Sequence, residues 1–200
     1  VLQHAVDTCK RWRKAIPSFT MSVNLSYRQL DEESLVQDIH DLLGDVALPA
    51  DNLVVEMTES YFAQEDAAAQ RLFDEIRQLG VRVAMDDFGT GYSALGVLKS
   101  SPADIVKIDR TFIRDIQKST FDATFIRFVV ALCHDVGILV CLEGVETDDE
   151  YEIVNGMGLD FIQGFLFGRP VPPEEFEQAF LAEGERRSGG CDSEPAEERA

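Results

Sequence analysis

Short apolar runs alternate along this chain with stretches whose apolar residues recur every three or four positions. Six of the short runs read as strands: "FTMSVNL" (19–25), "LVVEMT" (53–58), "RVAMDD" (82–87), "DIVKID" (104–109), "ILVCLEG" (138–144) and "FIQGF" (161–165). Each is partly β-branched and nearly continuous in hydrophobicity, the pattern of strands buried on both faces. Helices are predicted between them. Leu2, Val6, Cys9 and Arg13 mark the first, with Ala5 and Trp12 beside that stripe, and Leu35, Ile39, Leu42 and Leu43 mark the second. Leu72, Phe73, Ile76 and Leu79 mark a third, stopped by Gly80 in a C′ position. Phe125, Phe128, Val129, Leu132 and Val136 mark another, closed by Gly137. Thr147 and Glu150 have capping-box spacing, and Pro172 and Pro173 fit the first turn of a last helix carrying Phe176 and Phe180. From 183 to 200 the chain turns to Gly, Ser, Glu and Arg, which predicts a disordered acidic tail behind one domain over 1–182.

Repeated strand–helix units predict a parallel sheet with helices outside. An open doubly wound sheet also fits that order, and the polar residues at the strand ends separate the two. Asn24 closes the first run, Glu56 and Glu59 the second, and Asp86 and Asp87 the third. Lys107 and Asp109 lie in the fourth, Glu143 and Glu146 follow the fifth, and Gln163 lies in the sixth. An open sheet uses mainly the loops at its switch point, whereas a closed barrel gathers all its strand ends at one face. Candidates from six successive runs favour the barrel.

The charge narrows the chemistry. With 37 Asp and Glu against 18 Lys and Arg the net charge is −19, which disfavours duplex nucleic acid as a partner. A small phosphorylated ligand fits if divalent cations neutralise the site. Carboxylates with an amide oxygen suit Mg²⁺ or Mn²⁺, and their excess suits two ions ~3.5–4 Å apart, with one of Asp86 and Asp87 bridging them. A single-metal, proton-abstracting barrel with Lys107 as base, and a purely structural ion-pair network, also fit the spacing. The cysteines Cys9, Cys133, Cys141 and Cys191 form no metal-binding spacing and suit a reducing cytoplasm, with Cys133 and Cys141 expected in the core. No apolar stretch is long enough to span a bilayer, so a cytoplasmic protein, or the cytoplasmic part of a membrane-attached one, is expected. His4, His40 and His134 read as structural, and Phe165 and Phe167 as packing residues, with contact to a base of the ligand as the alternative.

"VNLS" (23–26), "EMTES" (56–60), "DDFGTGYS" (86–93), "KIDR" (107–110), "EGVET" (143–147) and "QGFLFGRP" (163–170) stand in the order seen in EAL domains, the bacterial phosphodiesterases and receptors for cyclic di-GMP. The resemblance covers roughly residues 1–180. It implies a TIM-like (β/α)8 barrel, one strand of it antiparallel, and hydrolysis of one phosphodiester of cyclic di-GMP to linear pGpG. By that resemblance Asn24, Glu56, Asp86 and Asp87 are similar to metal ligands for Mg²⁺ or Mn²⁺, Asp87 sharing in catalysis. Lys107 and Glu143 resemble the pair that orients and deprotonates the attacking water. Gln163 resembles an active-site, substrate-binding Gln, and Glu59 the anchor of the mobile "DFGTGYS" loop. Asp109 and Glu146 resemble supporting acids. A homodimer, and other signalling domains in the same chain, are implied as partners.

Three departures qualify the resemblance. The Glu-Ala-Leu triplet that names the family, whose Glu is a metal ligand there, is absent; Ala94 stands where a second Ser is usual; and Leu142 stands where Ala is usual. Six strands are found where a barrel needs eight, so six βα units are expected with the first two strands missing. Val1 opens in what reads as a helix without a cap, which favours a piece of a longer protein over a naturally shortened domain. A non-hydrolysing cyclic di-GMP receptor, or a protein-interaction domain, is the alternative to a phosphodiesterase.

Overall fold

A computed structural model describes residues 1–181 apart from 31, 33, 64–66, 92, 93 and 101. The tail predicted over 183–200, Cys191, and Tyr92 and Ser93 of the acidic motif lie outside the described residues. Every predicted strand forms: β1 (Met21–Asn24), β2 (Leu53–Thr58), β3 (Arg82–Phe88), β4 (Ile105–Ile108), β5 (Leu139–Leu142) and β6 (Phe161–Ile162). They pair in chain order, all parallel, as a curled half-barrel. The helices alternate with them: α1 (Leu2–Trp12), α2 (Tyr27–Leu30), α3 (Leu35–Val46), α4 (Glu59–Phe62), α5 (Ala67–Gln78), α6 (Ala94–Ser100), α7 (Thr120–Asp135), α8 (Asp148–Val154) and α9 (Pro173–Phe176). The Thr147–Glu150 capping box is present at α8, and Pro173 opens α9. Among the described residues no helix is long and apolar enough to cross a membrane.

Period two sorts the strand residues. Leu53, Val55 and Met57 of β2 point to the helices and join the main core with Phe73 and Ile76 of α5. Val54, Ala84, Ile105 and Cys141 point the other way and form a second, small cluster on the concave face. Two helical stripes differ from the expected ones. In α7 the buried residues are Ile126, Val129, Val130 and Cys133, while Phe128 and Val136 are half-exposed or more. That helix is apolar around most of its circumference, so periodicity alone does not choose its buried side. Phe180, beyond α9, is also about half-exposed.

The N-terminal ends of the strands are fastened by a device that repeats. The residue directly before each even-numbered strand is Asn or Asp, and it holds the start of the preceding strand. Asn52 Nδ2 donates to the Phe19 carbonyl at 2.8 Å. Asp104 donates its N–H to the Val83 carbonyl (2.8 Å) and accepts the Val83 N–H at Oδ2 (2.9 Å). Asp160 does the same to Val140, at 3.0 and 2.8 Å. Each of these two carboxylates is also paired with the end of the helix before the strand it holds, Arg77 of α5 to Asp104 at 3.3 Å and His134 of α7 to Asp160 at 2.9 Å. Both partners stand three residues before a left-handed glycine, Gly80 (φ 85°) or Gly137 (φ 78°), as predicted for the helix ends.

Replacing Asp160 with Ala removes the acceptor for two hydrogen bonds, and a loss of about 1–3 kcal/mol in denaturant unfolding is expected. Burial pushes the Asp160 carboxyl up, but the hydrogen bonds from His134 and Val140 outweigh it and hold the group below the usual carboxylate range. Its contribution is therefore complete above the unfolded-state value and is lost as pH falls through the lower folded-state value. The stability gap between wild type and Asp160→Ala should narrow on acidification; a gap of constant size would remove the ionised carboxylate from the account.

Candidate active site

On the concave face one pattern recurs from strand to strand: a small or apolar residue, then two positions later a polar one. The pairs are Val54–Glu56, Ala84–Asp86, Ile105–Lys107 and Cys141–Glu143, with Ser22–Asn24 and Phe161–Gln163 at the two edges. Since i and i+2 share a face, the first members make a floor and the second members stand one layer above it, toward the C-terminal ends. A cavity of about 260 Å³ opens there, lined by Ser22, Val54, Glu56, Lys107, Cys141 and Gln163 among others.

Lys107 is the centre of that upper layer. Its Nζ lies 2.7 Å from Glu56 Oε2, 2.6 Å from Glu143 Oε1 and 3.1 Å from Asp86 Oδ1. Lys107 and Glu56 are each 6% exposed, so neither charge is compensated by bulk water. Burial opposes the ammonium form, yet Glu56, Glu143 and Asp86 outweigh it and hold Lys107 above its ordinary value. Burial pushes Glu143 up, an effect that Lys107 offsets only in part and that Asp86 and Glu56 reinforce. Asp86 Oδ1 is buried and makes no hydrogen bond, because Nζ lies within ion-pair range but off the hydrogen-bonding direction. Cys141 faces the same layer, its thiol pushed up to about 12 by burial, so it stays protonated and is no nucleophile.

Strict alternation would send Asp86 and Asp87 to opposite faces. A register shift between Met85 and Phe88 breaks it, and Asp87 sits in the left-handed region at φ 57°. Asp can adopt that conformation, and the bulge re-aims its side chain. The Asp87 carboxyl is pushed up by burial first, then by Asp86 and Asp109, with Lys107 and Arg110 acting in the opposite sense. Thr90 fixes the turn that follows by donating both its N–H (3.3 Å) and its hydroxyl (2.9 Å) to the Asp87 carbonyl.

Glu59, at the start of α4 and 4% exposed, reaches across to this loop. Its Oε2 accepts from the N–H groups of Gly89 (2.9 Å) and Gly91 (3.3 Å). A side chain at Gly91 would collide with the Glu59 carboxylate, so glycine is what lets the backbone come close enough for the second bond.

The remaining candidates are spread more widely. Asn24 is exposed and lies beside Glu56 in the β1–β2 register. Asp109 is nearly buried and caps the turn after β4, Oδ1 accepting the Thr111 N–H at 2.9 Å. Gln163 is exposed at the cavity rim and ties its strand to β5 through its backbone. Glu146 is exposed ahead of α8, where its N–H donates to Glu150 at 2.8 Å. Phe165 and Phe167 are about half-exposed rather than packed, the first under Arg169 at 4.3 Å, the second edge-on to Tyr151. His134 and His40 pair with Asp160 and Asp41, and His4 is exposed. Sequence reasoning did not find Thr90, nor that Lys107 bonds three strands at once; the recurring i, i+2 polar pattern is the signal that could have found the latter.

Asn24, Glu56, Asp86 and Asp87 offer oxygen atoms only, the donor type that Mg²⁺ and Mn²⁺ take. The buried, unbonded Asp86 Oδ1 is an acceptor of the kind a cation satisfies. In chemistry the set fits a divalent metal. In arrangement Glu56 and Asp86 are drawn to Lys107 while Asn24 is exposed at the edge strand, and among the described residues no three His, Cys, Asp or Glu side chains are grouped to hold an ion.

Comparison with known proteins agrees with this geometry. The sequence model of the EAL domain matches residues 1–170. The cyclic di-GMP phosphodiesterase PdeR of Escherichia coli is 34% identical over 178 residues, 89% of this chain and 27% of PdeR. The bifunctional diguanylate cyclase/cyclic di-GMP phosphodiesterase MucR of Pseudomonas aeruginosa is 36% identical over 157 residues, 78% of this chain and 23% of MucR. The solved PaMucR phosphodiesterase in complex with c-di-GMP superimposes with a TM-score of 0.81 at 34% identity, covering 88% of this chain and 71% of that one. The manganese/cyclic di-GMP complex of BlrP1 from Klebsiella pneumoniae gives 0.78 at 30% identity, over 84% and 43%. The chain thus spans about a quarter of the length of the curated relatives it matches. An acidic cluster built on a lysine at the C-terminal ends of parallel strands, and the family match over most of the sequence, lead to one conclusion: the chain belongs to the EAL domain family.

Proposed function

We propose that this EAL domain, residues 1–182, is a divalent-metal-dependent phosphodiesterase that hydrolyses one 3′–5′ phosphodiester of cyclic di-GMP to linear pGpG. The observation that carries the reading is the contact of the buried Lys107 ammonium with Glu143, 2.6 Å long, inside a ring of carboxylates. Relatives named as cyclic di-GMP phosphodiesterases, and a related structure holding the dinucleotide, support the substrate. Asn24, Glu56, Asp86 and Asp87 would hold Mg²⁺ or Mn²⁺, a choice supported by the manganese complex of BlrP1. Such ions supply the charge that polarises the phosphoryl group and acidifies an attacking water.

The chain's own residues do the rest. Glu143 accepts the proton of the attacking water, a task helped by the burial that raises its proton affinity. Lys107 orients Glu143 and counters the negative charge that builds on the phosphoryl oxygens. Glu59 holds the Gly89–Gly91 backbone, and with it the turn that carries Asp87. Gln163, at the rim, contacts the substrate. We place the domain in the cytoplasm, as a homodimer, beside other signalling domains such as the cyclase activity in MucR's name implies for that relative.

The test is turnover of cyclic di-GMP by the intact protein with Mg²⁺ or Mn²⁺, followed as appearance of pGpG. Activity should vanish on exhaustive chelation and return with either ion, and Ca²⁺ should bind while supporting little turnover. Glu143→Gln should lower kcat by about 10²–10⁴-fold. Tight binding of the dinucleotide without turnover under all these ions would replace the enzyme with a receptor.

Glu59→Ala should lower kcat strongly while leaving KM and the circular dichroism spectrum close to wild type, because it acts through the loop. Glu59→Gln, which keeps one acceptor oxygen, should recover part of the loss. An unchanged kcat in Glu59→Ala would reduce Glu59 to a buried strand-end acid.

A further inference from the structure

Resting on the metal-dependent reading above, the geometry points to a second task for Lys107: we propose that its ammonium is an internal cation that competes with divalent metal for Glu56 and Asp86 and so sets the metal affinity of the domain. Glu56 and Asp86 are two of the four side chains to which that reading gives the metal, and both are already in ion-pair contact with Nζ, at 2.7 and 3.1 Å. Glu143 at 2.6 Å completes a ring of three carboxylates around one positive charge. Three carboxylates of the site converge on Lys107, and among the described residues no three His, Cys, Asp or Glu side chains are grouped to hold a metal ion instead.

Two consequences follow from charge alone. A divalent ion taking Glu56 and Asp86 stands beside a monovalent one, in a buried site where water screens little, and the repulsion weakens metal binding. The ammonium must give up Glu56 and Asp86, and Glu143 is the carboxylate left to it, on the strand paired with its own through Lys107 and Cys141. The lysine thus has two arrangements, shared among three carboxylates or held by Glu143 alone. Metal binding selects the second, which is also the pairing that the proposed chemistry needs.

The experiment is calorimetric titration of Mn²⁺ into the intact protein and into Lys107→Met, which keeps side-chain length and removes the charge. Mn²⁺ should bind Lys107→Met tighter by about tenfold or more. With chelator the variant should melt well below wild type, and saturating Mn²⁺ should close most of that gap. Equal or weaker Mn²⁺ binding by a folded Lys107→Met overturns the proposal. Should that variant fail to fold, the wild-type protein decides through its ¹⁵N-labelled lysine ammonium signals. Lys107, buried and slow to exchange with three carboxylate acceptors, should lose its signal as diamagnetic Mg²⁺ is added, and a signal that persists at saturation overturns competition. Absence of any Mg²⁺ or Mn²⁺ binding by the wild type is a different result: it removes the metal-dependent reading itself, and the inference with it.

Discussion

Lys107 and its three carboxylates make a mutual requirement. A buried ammonium is costly without anions, and buried carboxylates are costly without a cation. Removing one partner from such a group typically costs roughly 3–5 kcal/mol, because the other is left charged and dry. Glu56, Asp86, Lys107 and Glu143 come from β2, β3, β4 and the end of β5, so four segments must hold their heights to within a fraction of an ångström. The hydrophobic effect has no such precision. What it supplies is the choice of face: a one-residue slip of β2 would carry Leu53, Val55 and Met57 out of the main core and Glu56 into it. The apolar pattern fixes the register, and the register lets the charges meet.

Among the described residues the same strand rule is broken once, in β3. A regular β3 would send Asp86 and Asp87 to opposite faces. The bulge at Asp87 breaks that alternation at the cost of a left-handed, non-glycine backbone, about 1–3 kcal/mol when nothing supports it. Support comes from both sides: Thr90 bonds the Asp87 carbonyl twice, and Glu59 gathers the next two glycine N–H groups. Glu59 is itself fixed, because α4 carries Tyr61 and Phe62 into the core, where both rings meet Phe73.

Much of this was legible in the chain because it is periodic. Buried strands write themselves as short apolar runs, and polar residues embedded near their ends stand out against that background, which is how Glu56, Asp86, Lys107 and Glu143 came to notice. What the sequence hides is geometry that breaks the period or joins distant segments. The Asp86–Asp87 pair reads as two opposite faces until the bulge is seen. Glu59 and Glu146 look alike, each an acid three residues beyond a strand-end Glu, yet Glu59 is buried with two N–H donors and Glu146 faces solvent. The buried side of α7 departs from the apolar stripe at Phe128, and at Val136 just past its end, because a helix apolar on most sides carries no phase. Asn52, Asp104 and Asp160 passed unnoticed, since an Asp before a strand is common and only the fold shows what it binds.

Those three residues bear on the site from the opposite end of the sheet. Carboxylates crowded at the C-terminal ends repel one another. At the N-terminal ends of β3 and β5 the strand is fastened through backbone N–H and C=O to the residue before its neighbour, and through that residue to the helix before itself, α5 or α7. The fastening is made of hydrogen bonds, which are directional and short-ranged, so it resists sliding in a way that a greasy interface does not. The N-terminal bonds and the Lys107 cluster thus hold the two ends of the same strands, the first by directional hydrogen bonds and the second by one ammonium that offsets part of the charge of three carboxylates.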